Sequence, residues 1–175
     1  MQSIYLAGGC FWCTEAAFLT LKSIRQVTPG YIGGDTINPT YEEVCKGDTG
    51  HAEAIKCEFD PKLISTEKIL EFFFKIHDPT QLNRQGNDIG THYRSAIFVN
   101  NVEEKEYVNI LIKTFQKNFS SKILTEVAYK KIFYEAEDYH HNYFNKNPFS
   151  GYCRIVIKPK LDYISKNFDT KTNQF

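Results

Sequence analysis

Cys10 stands at the end of an apolar run and the start of a segment with helical spacing. The stretch reads Gly8-Gly9-Cys10-Phe11-Trp12-Cys13-Thr14-Glu15. A cysteine at a helix start faces unpaired backbone N–H groups and the positive end of the macrodipole. Such a place is expected to lower the thiol pKa and give a reactive thiolate. Phe11 and Trp12 follow at once, so the nucleophile is expected to meet an apolar, uncharged group. Cys13 completes a C-x-x-C. It admits two readings, a redox partner as in thioredoxin-like dithiols or a small core residue on the first helical turn. Zinc would want a second pair at similar spacing, and Cys45, Cys57 and Cys153 are isolated in sequence.

Glu53 opens a segment whose alternate residues, Ile55, Cys57 and Phe59, are apolar. A carboxyl on that face would be desolvated, its pKa raised, and it could serve as an acid near neutral pH. Tyr41 and Tyr93 lie near loops and can donate O–H bonds, although eleven tyrosines are present and each alone also fits packing. Asp88, in Gln85-Gly86-Asn87-Asp88, has the local sequence of a turn aspartate. His140 and His141 are adjacent and do not share a helix face, so they read as structural.

These residues need elements to hold them. Residues 3–7 read as a buried strand and 12–22 as a helix. The Val27–Gly34 stretch (VTPGYIGG) is turn-rich and is expected to bend sharply. Strands are expected at 52–59, 94–99, 123–129 and 155–157. Helices are expected at 66–77, at 101–118 behind an Asn101/Glu104 cap, and at 137–145. The loop 80–92 is polar, and the tail from Asp162 reads as helical or frayed. This order favours an α+β two-layer sandwich with long irregular loops over a doubly wound parallel sheet.

Composition narrows the function classes. The 175 residues fit one domain, and 42% hydrophobic and 15% aromatic content marks a globular chain. Twenty-one basic and 21 acidic residues cancel, which argues against a nucleic-acid or anionic-membrane partner. No apolar run reaches the roughly 18 residues of a membrane span. The N-terminus carries no secretory pattern, and five scattered cysteines are not a secreted disulfide framework, so the cytoplasm is the expected compartment.

Five blocks together resemble a known family: GCFWCTE at 9–15, GYIGG at 30–34, NPTYEEVCKGDTGHAEA at 38–54, HDPTQLNRQGNDIGTHYRSAIF at 77–98 and AEDYHHNYFNKNP at 136–148. In this order they resemble the A-type peptide methionine sulfoxide reductases, over nearly the whole chain. The resemblance implies an α+β fold with a mixed sheet and a ferredoxin-like core. It implies reduction of the S epimer of methionine sulfoxide, in proteins and as the free amino acid, with thioredoxin as reductant and no metal or organic cofactor. Carried over, Cys10 would be the nucleophile, and Phe11 and Trp12 would hold the substrate methyl group. Glu53 would give the proton, helped by Tyr41 and Tyr93, and Asp88 would support substrate binding. Some members carry two C-terminal cysteines; here only Cys153, in Gly151-Tyr152-Cys153, is present. By resemblance Cys153 is the first choice for the resolving thiol, on a C-terminal tail from about residue 147, and Cys13 the second. A dithiol oxidoreductase would need only Cys10 and Cys13, and a methyl-sulfur binding module would tolerate Cys10→Ser.

Overall fold

The computed structural model describes residues 1–168. In chain order it contains β1 (Gln2–Ala7), α1 (Phe11–Leu19), β2 (Ile24–Ile32), α2 (Tyr41–Lys46), β3 (Ala52–Phe59) and α3 (Thr66–Ile76). A two-rung hairpin, β4 (Arg84–Gln85) and β5 (Asp88–Ile89), follows, then β6 (Ala96–Val99), α4 (Val102–Phe115), β7 (Glu126–Tyr129) and β8 (Tyr134–Glu135). α5 (Tyr143–Lys146) and α6 (Lys158–Asn167) close the described chain. The main sheet has the order β7-β6-β1-β3-β2-β8. Its central pairs are antiparallel, and β6 with β7 is parallel, so the sheet is mixed. The run β6-β1-β3-β2 is the split βαβ arrangement of a ferredoxin-like core.

The two faces of the sheet carry different loads. Along β1 the period of two sends Ile4 and Leu6 to the helix-covered core and Tyr5 and Ala7 to a smaller cluster behind. Along β3 the same alternation puts Ile55, Cys57 and Phe59 under the helices and Ala52 and Ala54 behind. Glu53 has the parity of Ile55. A carboxyl is therefore delivered to the apolar, helix-covered face, where it is 1% exposed.

Most of the expected Val27–Gly34 bend, residues 27–32, is extended instead. β2 runs straight through Pro29 and Gly30, paired with β3 and, at Gly30 and Tyr31, with β8. Gly30 serves close approach rather than a turn: a Cβ there would lie 2.3 Å from the Tyr134 carbonyl oxygen. The bend comes one residue after β2, at Gly33 with φ +95°.

The expected strand at 155–157 is also overturned. Cys153–Ile157 form a π-helical segment that runs directly into α6. Ile157, Leu161 and Ile164 recur at helical spacing and face the core, while Ile155 is exposed. The expected helix at 137–145 is split by Asn142, at φ +54°, into a 3-10 turn over Asp138–His140 and the single turn α5. The strand at 123–129 begins only at Glu126. The tail is helical to Asn167.

Candidate active site

The first turn of α1 is aimed by the two glycines before it. β1 ends at Ala7, and Gly9 takes φ +87°, a backbone that side chains disfavour. A Cβ at Gly9 would also meet Gln85 at 2.7 Å. Gly9→Ala is expected to cost about 1–3 kcal/mol in a denaturation experiment, from the strained dihedral and this contact. Wild-type stability in that variant would show that the backbone is not held there.

Cys10 is the N-cap of α1, with φ −58° and ψ 127°, and its carbonyl accepts from Cys13 N at 3.1 Å. The residue as a whole is 7% exposed. The expectation of a lowered Cys10 pKa is overturned in the resting site. Burial raises the thiol well above its usual value, and donation to Cys13 and the nearby Glu53 carboxyl add to the rise. Removal of the anion from water opposes and outweighs the pull expected of a helix start. Cys13 moves the other way. The hydrogen bond from Cys10, with help from Lys160 and Tyr152, outweighs burial and lowers it to about 7.

Glu53 sits one strand away. Its Oε2 accepts from Phe11 N at 3.0 Å, and its Oε1 is buried with no partner. Burial pushes the carboxyl up to about 8, against the Phe11 N–H and with support from Asp88 and Cys13. The group is therefore mostly protonated at neutral pH, as its strand parity predicts. Tyr41 and Tyr93 both feel its charge, and burial with that charge raises both phenols, which stay neutral. Tyr41 is the first residue of α2, fixed there by a capping box. Thr40 Oγ1 accepts from Glu43 N at 3.3 Å, and Glu43 accepts from Thr40 N at 2.8 Å. Tyr93 closes a 3-10 turn after β5.

Phe11 and Trp12 belong to an aromatic wall. Phe11 stacks on Tyr41 at 6.4 Å between centroids, and Trp12 stacks on Tyr143 at 3.7 Å. Trp12 Nε1 donates to His140 Nδ1 at 2.9 Å. His140 was expected to be merely structural, yet it orients the indole at the site. Burial lowers its pKa to about 4, so the ring is neutral and its proton is on Nε2, 3.7 Å from Glu137. His141 lies aside, on the Ala136 carbonyl.

Three further residues escaped the sequence reading. Glu137 accepts from Tyr41 N at 2.9 Å and from the Tyr31 hydroxyl at 2.7 Å, tying α2 and β2 together beneath His140. Glu15, inside α1, holds Asn142 N at 2.8 Å and so fixes the loop that carries Tyr143. Tyr152 donates to Asp88 at 2.7 Å and meets the Cys13 sulfur at 3.5 Å. Each contact spans more than 60 residues, beyond any local pattern. The only sequence signal was their membership of the GCFWCTE, AEDYHHNYF and GYC stretches. Asp88 is thus engaged by Tyr152 in this structure.

Cys153 is fully buried in the core on the π-helical segment, its N–H held by Ser150 Oγ at 3.3 Å. Cys57 lies in the sheet core, and Cys45 is exposed next to the Tyr41 hydroxyl. All five cysteines are free thiols. Among the described residues no group of three or more His, Cys, Asp or Glu is placed to hold a metal ion. No described helix is long and apolar enough to cross a membrane.

Comparison with known proteins gives the same picture. The family described as Peptide methionine sulfoxide reductase matches residues 2–172. Peptide methionine sulfoxide reductase MsrA of Saccharolobus solfataricus is 49% identical over 171 residues, covering 98% of this chain and 97% of that one. The reduced form of Mxr1 from Saccharomyces cerevisiae superposes with a TM-score of 0.83 at 36% identity, over 87% of this chain and 88% of that one. Mxr1 in complex with Trx2 superposes with a TM-score of 0.59 at 25% identity, over 81% of this chain and 84% of that one. A thiol at a helix start, facing a neutral buried carboxyl within an aromatic wall, is thus carried by a chain that belongs to the A-type peptide methionine sulfoxide reductases.

Proposed function

We propose that Cys10 is the nucleophile of a methionine (S)-sulfoxide reductase and that Glu53 is its acid. The observation that carries this reading is the unpartnered, buried Oε1 of Glu53 beside the Cys10 thiol. A sulfoxide is a poor electrophile until its oxygen receives a proton or strong hydrogen bonds. A neutral carboxyl with Tyr41 and Tyr93 beside it meets that need. Phe11 and Trp12 offer the apolar surface for the S-methyl group, and Asp88 supports the bound substrate. Two charges buried together would oppose the reaction, and the raised Glu53 pKa removes one of them.

In the chemical step the sulfoxide oxygen passes to Cys10. The substrate leaves as methionine, and Cys10 becomes a sulfenic acid. A second thiol, Cys13 or Cys153, condenses with it to a disulfide and releases water. Thioredoxin reduces that disulfide by exchange, in keeping with the Mxr1–Trx2 complex among the similar structures. Nothing in this scheme draws on a metal or organic cofactor, nucleic acid or a membrane. A reducing cytoplasm is the compartment that would keep all five thiols free.

The test is a peptide carrying resolved sulfoxide epimers, with thioredoxin, its reductase and NADPH. The S epimer is expected to be consumed to completion and the R epimer to remain. Equal consumption of both, or of neither, overturns the reading.

A further inference from the structure

We propose that Glu137 is a positioning residue for the proton-donating side of the site. Its two carboxylate oxygens hold Tyr41 in one frame with Glu53, so that the phenol and the acid address the same sulfoxide oxygen. This rests on the sulfoxide reductase reading above. Glu137 Oε1 accepts from Tyr41 N at 2.9 Å, and Oε2 accepts from the Tyr31 hydroxyl at 2.7 Å. Tyr31 is fully buried in β2 and is the direct cross-strand partner of Glu53 in β3. Residues opposite each other in an antiparallel pair share a face of the sheet. One carboxylate therefore links the strand position of the acid to the first residue of α2.

Tyr41 needs such an anchor. α2 has six residues, too few for a helix to be stable by itself. Its capping box is internal, between Thr40 and Glu43. The Tyr41 ring meets Phe11 at 6.4 Å and His140 at 4.5 Å between centroids. Ring contacts at such separations leave room to slide, whereas a hydrogen bond to an ionised carboxylate fixes a distance. Burial opposes ionisation of Glu137, but its own backbone N–H and the bonds from Tyr31 and Tyr41 outweigh it and hold the carboxyl below its usual range. Burial and the Glu137 carboxylate raise the Tyr31 phenol, so Tyr31 keeps its proton and is the donor. Both oxygens of Glu137 are taken up by these two tyrosines. Its effect on the reaction therefore passes through Tyr41.

The experiment is a double-mutant cycle, read as methionine release in a single turnover with a methionine (S)-sulfoxide peptide. Tyr93 supplies a second hydroxyl beside Glu53, so Glu137→Ala is made in two backgrounds. With Tyr93→Phe, Tyr41 is the phenol left to donate. There Glu137→Ala is expected to slow release by about 10- to 100-fold, the scale of a small misplacement of a reacting group, with the half-saturating peptide concentration unchanged. With Tyr41→Phe, no hydroxyl remains for Glu137 to place, and the same substitution is expected to change the rate by less than about twofold. Equal losses in the two backgrounds, or none with Tyr93→Phe, overturn the inference.

Two further variants separate positioning from general damage. Glu137→Gln keeps an acceptor for Tyr41 N and a donor for the Tyr31 oxygen. In the Tyr93→Phe background it is expected to recover most of the rate that Ala loses, and a Gln variant as slow as Ala overturns the inference. Tyr31→Phe removes the other end of the clamp and gives a reading that does not depend on Glu137→Ala folding. It is expected to slow release with Tyr93→Phe and to leave it unchanged with Tyr41→Phe; equal effects overturn the inference. Absence of methionine release from the wild-type chain overturns the reductase reading itself. Wild-type release with background-independent losses overturns the role of Glu137 alone.

Discussion

Cys10→Ser is expected to lose sulfoxide reduction by at least about 10^3-fold with dithiothreitol as reductant, the scale seen when an essential nucleophile is removed. Two physical facts set this size. A serine hydroxyl is a far weaker nucleophile than sulfur at neutral pH. More decisively, sulfur can accept the sulfoxide oxygen as a stable S–OH group, whereas a serine oxygen would have to form a peroxide O–O bond. The steric change is small, and the helix start keeps its carbonyl acceptor for Cys13 N. The variant is therefore expected to fold, with circular dichroism and melting close to wild type. Methionine release in a single turnover is the measurement. A Cys10→Ser protein that still releases methionine at the wild-type rate overturns the mechanism.

Glu53→Gln is expected to lower the rate of methionine release by about two to four decades, the usual contribution of a general acid. Gln fills the same space and can still accept from Phe11 N, so the variant isolates the proton. The pH dependence follows from the raised pKa. Glu53 keeps its proton up to about pH 8 in the folded protein and loses it above. The alkaline fall in the wild-type rate near that pH is expected to vanish in Glu53→Gln. Wild-type rates in this variant would remove Glu53 as the acid.

The same shift makes a stability prediction of known sign. In the folded chain Glu53 holds a proton that the unfolded chain releases near the ordinary carboxyl value. The folded state therefore binds more protons between about pH 4.5 and pH 8, and this group's contribution falls as pH rises through that window. Glu53→Gln removes the loss. Above pH 8 the variant is expected to melt higher than wild type, and near pH 4 the two should converge. A residue whose replacement lowers activity while raising stability bears a functional strain.

The helix start at Cys10, the period-two parity that buries Glu53 and the five ordered blocks were all legible in the sequence. These are local or patterned features. Apolar alternation decides which face a strand residue takes, and Gly-Gly before a helical run decides where the thiol is presented. The α+β class followed from the order of strands and helices. The extended path through Pro29 and Gly30 was not legible, because glycine marks a turn and a close strand approach alike. Only β8 lying across Gly30 separates the two. The apolar run at 155–157 misled for a related reason: three β-branched residues suit a strand, but the core contacts of Ile157, Leu161 and Ile164 impose helical spacing.

The resting proton positions were decided by tertiary structure alone. Sequence placed Cys10 at a positive helix end and so suggested a lowered pKa. The fold buries the sulfur beside a carboxyl and a second thiol, which raises the Cys10 pKa and lowers that of Cys13. Likewise Glu137, Glu15, Tyr152 and His140 acquire their roles from partners more than 90, 120, 60 and 120 residues distant in the chain. The sequence by itself thus placed the candidate reacting groups, Cys10 at a helix start and Glu53 on a buried strand face. The packing of α1 against the sheet and the C-terminal segment determined how strongly these groups are desolvated, because desolvation and contact depend on neighbours that local sequence does not specify.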